Sequence, residues 1–139
     1  MDVQFARTIF AVSLALLCGD CTTAPATIGG AASAKTITFV LVSDVYKMGE
    51  ENGRGGMARI AAVLKSEKAR HANVLIVHAG DTLSPSLMSG FDQGAHIVSL
   101  FNMTPLDVFV PGNHEFDFGR EVFLKRMREF TADIVAANL

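Results

Sequence analysis

Residues 107–117 read DVFVPGNHEFD, an apolar run followed by a turn and then by a cluster of polar side chains. The apolar and β-branched residues of Asp107–Val110 predict a short buried strand. Asn113 offers a carbonyl ligand, and His114 can bind a metal or donate a proton. Asp117 lies three residues after His114, close enough to hydrogen-bond the imidazole and favour its protonated form.

Two earlier segments of the chain follow the same pattern. Thr36–Ser43 predicts a fully buried strand that ends at Asp44, and Val74–Val77 predicts a second strand followed by Gly80 and Asp81. Each aspartate alone is typical of a turn or a helix cap. Carboxylates are hard ligands for Mn²⁺, Mg²⁺, Zn²⁺ or iron, and a carboxylate at Asp81 could bridge two cations.

Helical segments separate these strands and predict an α/β fold. Apolar residues recur at helical spacing in the first and third of them, whereas the second is apolar on more than one side. A fourth strand is predicted at Ile134–Ala137. The predicted helices are Gly55–Arg70, Gln93–Phe101 and Glu121–Phe130. Strands separated by helices pair in parallel, so we expect a βαβ-type layered sheet with flanking helices. Ligands bind beyond the carboxyl ends of such strands, and the three polar segments all lie there. Their convergence predicts a two-metal phosphoesterase site.

The N-terminus has the pattern of an export signal. The stretch IFAVSLALLC, residues 9–18, follows Arg7 and precedes small residues. It is too short to span a bilayer comfortably. We therefore expect a signal peptide at 1–26, a spacer at 27–35 and a domain at 36–139, in a periplasmic or extracellular protein with no stable membrane span after cleavage. Cys18 and Cys21 would leave with the signal, unless one of them carries a lipid anchor.

Composition excludes one class of partner. The chain has 12 Lys and Arg against 14 Asp and Glu, a net charge of −2, and no basic run interleaved with aromatic residues. It therefore lacks the pattern of a nucleic-acid-binding protein. The remaining histidines are read as structural: His78 as a core or supporting residue, and His71 and His96 as surface or helix residues. The glycines of 53–56 lack the Gly-Lys-Ser/Thr ending of a phosphate-binding loop.

Three motifs together resemble the calcineurin-like metallophosphoesterases. They are Ser43-Asp44, Gly80-Asp81 and Gly112-Asn113-His114-Glu115-Phe116-Asp117. Within that family the chain is most similar to the secreted 5′-nucleotidase and 2′,3′-cyclic-nucleotide phosphodiesterase group. The resemblance implies a four-layer αββα domain, of which residues 36–139 would be the N-terminal part.

The same resemblance implies a function and a role for each candidate residue. Asp44, Asp81 and Asn113 would bind two divalent or mixed-valence ions of Zn, Mn, Mg or Fe, with Asp81 bridging them. His114 would stabilise the transferring phosphoryl or leaving group, and Asp117 would orient it. The implied activity is metal-dependent hydrolysis of a small-molecule phosphate ester, in particular of a nucleotide.

The chain departs from the family pattern in two places. The family's first motif is Asp-x-His, whereas Asp44 is followed here by Val45 and Tyr46. Tyr46 could bind Fe³⁺ as a phenolate, or it could leave the first metal site weaker. The family's downstream Gly-His and His-x-His motifs do not occur in the sequence. We therefore expect an N-terminal fragment with little activity of its own. The alternative is a non-catalytic exported remnant or interaction module.

Overall fold

A four-stranded parallel sheet organises the described part of the chain, residues 35–138 of a computed structural model. The strand order is β1-β2-β3-β4, and every neighbouring pair is parallel. The strands are β1 (Thr38–Val42), β2 (Val74–His78), β3 (Val108–Phe109) and β4 (Asp133–Ile134). The predicted α/β class is confirmed. The predicted signal peptide, 1–26, and the spacer up to residue 34 lie outside the described residues.

Helices connect the strands, close to the predicted positions. They are α1 (Met57–Arg70), α2 (Ser89–Asp92), α3 (Ala95–Phe101) and α4 (Arg120–Glu129), and a 3₁₀ turn covers Asn113–Phe116. The short α2 and the 3₁₀ turn were not predicted. Gln93 and Gly94 both have left-handed backbone, with φ of 53° and 81°. These two residues end α2 and delay the start of α3 beyond the predicted Gln93.

The hydrophobic core lies between the helices and one face of the sheet. Met57 and Leu64 of α1 are buried, as the helical spacing predicts, and so is Met127 of α4. Phe101 of α3 packs edge-on against His78 of β2, with ring centroids 4.6 Å apart. His78 also stacks on Phe109 of β3, which places this histidine in the core as predicted.

The opposite face of the sheet is open within residues 35–138, which corrects one prediction. Strand β1 is not fully buried: Phe39 is 68% exposed and Leu41 is 67% exposed, whereas their neighbours along the strand are half-buried. Alternate residues of a strand point to opposite faces, so a continuous apolar run is buried throughout only when both faces are covered. No second sheet of the implied four-layer domain occurs among the described residues.

The fourth strand is shorter than predicted and lies at an edge. The structure gives Asp133–Ile134 in place of Ile134–Ala137, and both residues of β4 are exposed. The strand pairs only with β3 in the described part of the chain. None of the helices within residues 35–138 has the length and hydrophobicity needed to cross a bilayer.

Candidate metal centre

The turns that follow β1, β2 and β3 meet at one edge of the sheet. The amide of Asp44 donates a hydrogen bond to the carbonyl of Gly80 at 3.2 Å. The amide of His114 donates to Oδ1 of Asp81 at 2.9 Å. Gly80 lies so close to Gly112 that a Cβ on Gly80 would be 2.3 Å from the Gly112 nitrogen. The structure therefore brings together the three segments that carry the predicted site residues.

Both candidate aspartates have left-handed backbone. The φ angle is 58° at Asp44 and 60° at Asp81. Aspartate tolerates this conformation better than most residues, but it still costs free energy, and such residues concentrate at functional sites. Asp44 and Asp81 therefore share an unusual backbone conformation in the turns after neighbouring strands.

Asp44 is exposed, and its carboxylate is hydrogen-bonded to Tyr46. The Tyr46 hydroxyl donates to Oδ1 of Asp44 at 2.8 Å. This hydrogen bond lowers the pKa of Asp44 and raises the pKa of Tyr46 to about 12. Tyr46 is therefore a protonated donor to Asp44 in this structure.

Asn113 and His114 lie on the 3₁₀ turn beside Asp81. Asn113 is exposed at the first position of the turn. His114 is half-buried, and its Nδ1 lies 2.7 Å from Oδ2 of Asp117, as the spacing predicts. That hydrogen bond raises the pKa of His114 and lowers the pKa of Asp117. The pair favours an imidazolium, which can donate a hydrogen bond to an anion.

Two further residues support the site and were not predicted. The buried Ser84 donates a hydrogen bond to Oδ2 of Asp117, and its oxygen lies 3.5 Å from Nδ1 of His114. Glu115 is fully buried and accepts hydrogen bonds from amides on both sides of the site. No spacing rule identifies Ser84. The position of Glu115 within the Gly112–Asp117 motif was the one available signal.

The histidines outside this cluster have structural roles. His78 accepts a hydrogen bond from the Gly80 amide at 3.0 Å, and burial lowers its pKa to about 4, so it is neutral near pH 7. His96 of α3 pairs with Asp92, the last residue of α2, at 2.9 Å. His71 follows α1, is 43% exposed and lies 3.3 Å from Glu67 of that helix. None of them lies among the candidate ligands.

The donor chemistry fits a hard cation, although the set is incomplete for two ions. Two carboxylates and an amide carbonyl at one strand edge are oxygen ligands of the kind that Mg²⁺, Mn²⁺ and related ions bind. The buried carboxylate of Glu115 lies behind them, and the described residues contain no ion pair to it. The described residues contain no cluster of three or more His, Cys, Asp or Glu side chains able to hold a metal ion.

An open cavity of about 480 Å³ adjoins the candidate centre. Its lining begins at Asp44 and Tyr46 and continues to Ile60 and to the glycine-rich loop around Arg54. Gly55 and Gly56 of this loop have φ of 67° and 86° and lead directly into α1. Of the candidate ligands, Asp44 lines this groove, which is large enough for a small molecule.

Several known proteins of similar sequence are 5′-nucleotidases. A snake venom 5′-nucleotidase from Gloydius brevicauda is 30% identical over 121 residues, which cover 78% of this chain and 21% of that protein. The NAD 5′-nucleotidase of Haemophilus influenzae is 31% identical over 85 residues, or 61% of this chain and 14% of that protein. The chain therefore spans about a fifth of the length of the venom protein.

Solved structures show the same relationship. The structure of Haemophilus influenzae NAD nucleotidase matches with a TM-score of 0.66 and 26% identity, over 73% of this chain and 23% of that chain. A calcineurin-like phosphoesterase from Bacillus subtilis shares the fold, with a TM-score of 0.59 at 19% identity. The family model of the calcineurin-like phosphoesterases matches residues 37–137. The chain therefore belongs to the calcineurin-like phosphoesterase family.

Proposed function

We propose that this chain forms part of a metal-dependent hydrolase that removes phosphate from nucleotides. The observation that carries the proposal is the meeting of Asp44 and Asp81, both with left-handed backbone, beside the His114–Asp117 pair. Acidic oxygen ligands next to a hydrogen-bonded imidazole can together support phosphoester hydrolysis. The names of the relatives, 5′-nucleotidase and NAD 5′-nucleotidase, support a nucleotide as the substrate.

Each residue has a specific part in the proposed reaction. Asp44, Asp81 and Asn113 would hold the cations, with Asp81 between two of them. When bound, the cations would lower the pKa of a coordinated water and offset charge on the phosphate. His114, kept protonated by Asp117, would donate a hydrogen bond to a phosphoryl oxygen or to the leaving oxygen. Ser84 would hold Asp117 in place through its hydrogen bond.

The described residues would not complete a two-metal site alone. Three donor side chains are fewer than two cations require, and further protein ligands would have to come from outside residues 35–138. This incompleteness is the observation that favours the second candidate, a non-catalytic domain of the same fold. The hydrolase and the non-catalytic domain are distinguished by whether the protein made from the complete reading frame hydrolyses a nucleotide.

Phosphate release from AMP tests the proposal. We expect the protein expressed from the complete reading frame to release phosphate when Mn²⁺ is present, and Asp81→Asn to abolish the activity. Asp133→Asn is the matched control, since Asp133 lies exposed on edge strand β4. The catalytic proposal fails if the wild type releases no phosphate with any divalent ion. Equal activity in Asp81→Asn and wild type would refute the role of Asp81.

We also propose that the protein is exported, on the strength of the apolar stretch at residues 9–18. The mature protein would then begin near residue 27, in the periplasm or outside the cell. Intact-mass measurement of protein recovered from those fractions checks this. A mature protein that retains residues 1–26 would contradict the cleavage.

A further inference from the structure

Glu115 is the most deeply buried charged group near the candidate centre. Its side chain is 0% exposed, although it follows the half-buried His114 in the chain. A carboxylate is placed in a protein interior only at considerable cost unless hydrogen bonds replace its water. The contacts of this carboxylate therefore show what it contributes to the fold.

Four backbone amides donate to the Glu115 carboxylate. Oε2 accepts from Asp81 at 2.8 Å and from Gly112 at 2.6 Å. Oε1 accepts from Thr82 at 2.7 Å and from Leu83 at 3.2 Å. A carboxylate offers about four lone-pair positions, so these amides occupy its accepting capacity. Glu115 is thus not available as a metal ligand or as a proton acceptor.

These four hydrogen bonds join two separate turns. The amides of 81–83 belong to the turn that follows β2, and the amide of Gly112 begins the turn that follows β3. The first turn carries Asp81, and the second carries Asn113 and His114. Hydrogen bonds between charged and neutral groups are stronger and shorter than those between neutral groups, so this carboxylate fixes the two turns more firmly than a neutral acceptor would.

We propose that Glu115 is a positioning residue that sets the placement of Asp81 relative to Asn113. This inference rests on the proposed function, because it assigns those two residues as ligands. Residues that hold metal ligands from behind commonly change metal affinity or activity by about 10–100-fold when they are replaced. Glu115 acts through the backbone of both turns rather than through a ligand side chain.

Glu115→Gln is the informative variant, because it preserves size and removes the charge. The new NH₂ group would face amide donors, so at least two of the four hydrogen bonds would be lost. Glu115→Asp is the second variant: it keeps the charge but is one methylene shorter and cannot reach all four amides. Arg126→Gln is the matched control. Arg126 is 4% exposed and donates to the carbonyls of Asp92 and Gln93, away from both turns.

Three quantities are measured for each variant: Mn²⁺ affinity by calorimetry, amide hydrogen exchange, and the free energy of unfolding. We expect Glu115→Gln to weaken Mn²⁺ binding by about 10–100-fold and Glu115→Asp to weaken it less. In both Glu115 variants, amide hydrogen exchange should accelerate more at Thr82, Leu83 and Gly112 than elsewhere. Arg126→Gln should lose stability without a comparable loss of Mn²⁺ affinity.

Two results would overturn the positioning role. One is an equal loss of Mn²⁺ affinity in Arg126→Gln and Glu115→Gln at similar stability, and the other is unchanged affinity and exchange in Glu115→Gln. Failure of the proposed function looks different: the wild type would bind Mn²⁺ at this edge without releasing phosphate from AMP. If the wild type bound no Mn²⁺, amide exchange alone would test the positioning role. Faster exchange confined to the two turns in Glu115→Gln would support the role, and equally faster exchange throughout the chain would refute it.

Discussion

Replacing Gly112 with alanine is expected to displace the carboxylate of Asp81. A Cβ at residue 112 would lie 2.3 Å from Oδ1 of Asp81 and 2.8 Å from its Cγ. Ordinary van der Waals contact begins at 3.4 Å, so the carboxylate or the turn must move by about 1 Å. The φ of Gly112 is −97°, which alanine adopts without strain, so the effect comes from the contacts of the new Cβ with Asp81, whose backbone nitrogen would also be only 2.9 Å away.

The size of the effect follows from that displacement. A misplacement of about 1 Å in a catalytic group can cost about 10²-fold in rate. We therefore expect Gly112→Ala to lower kcat/KM for AMP by about 10²-fold and to weaken Mn²⁺ binding. Forcing an extra methyl group into a packed region typically costs about 1–3 kcal/mol of stability, which chemical denaturation will show separately.

Gly90→Ala provides the control for this prediction. A Cβ at residue 90 would meet no heavy atom within 4 Å, and the residue lies in helix α2, where alanine is favourable. This variant should keep wild-type turnover and Mn²⁺ affinity. If Gly112→Ala also kept both, the close approach of Gly112 to Asp81 would have no role in the site, and the reasoning would be refuted.

Three other predictions concern the titratable groups. Asp117→Asn should return the pKa of His114 towards its ordinary value of 6.5, because the hydrogen bond to Asp117 holds it above that value; NMR titration of the imidazole measures this, and an unchanged pKa would contradict the pairing. Tyr46→His should strengthen binding of divalent ions, since a neutral imidazole need not lose a proton whereas the phenol has a pKa of about 12; weaker binding in calorimetry would refute this. His78 has a pKa of about 4 when folded and 6.5 as its ordinary value, so the unfolded chain takes up the proton first. The resulting loss of stability should begin as pH falls below about 6.5 and approach about 3 kcal/mol near pH 4. Denaturation curves measure this loss, and His78→Gln, which has no such group to titrate, is the comparison. A wild type that loses no more stability than His78→Gln would contradict the burial of His78.

The sequence predicted the convergence of the strand ends because each strand position can be read from its own local segment. Apolar runs that end in Asp44, Asp81 and the Asn113–His114 pair give strand positions, and parallel pairing then places their ends at one edge. The His114–Asp117 hydrogen bond follows in the same way from a spacing of three residues. The spacing alone determines the hydrogen bond, whereas the convergence also requires the parallel pairing of the strands.

Properties that depend on distant packing were not predictable. The apolar run of β1 reads the same whether its second face is covered or open, and the structure leaves Phe39 and Leu41 exposed. The break between α2 and α3 depends on the left-handed backbone of Gln93, which no distinctive sequence pattern indicates. Ser84 meets Asp117 across 33 positions of sequence, and no interval within one motif indicates such a contact.

Paramagnetic broadening by Mn²⁺ tests most directly whether this strand edge binds a cation. In a heteronuclear NMR titration with substoichiometric Mn²⁺, we predict that the amide signals of Asp44, Asp81 and Asn113 broaden first. Signals of exposed carboxylates elsewhere, such as Glu121, should persist. Broadening that begins at those surface carboxylates, or that affects the candidate ligands no more than the rest of the chain, would contradict the account.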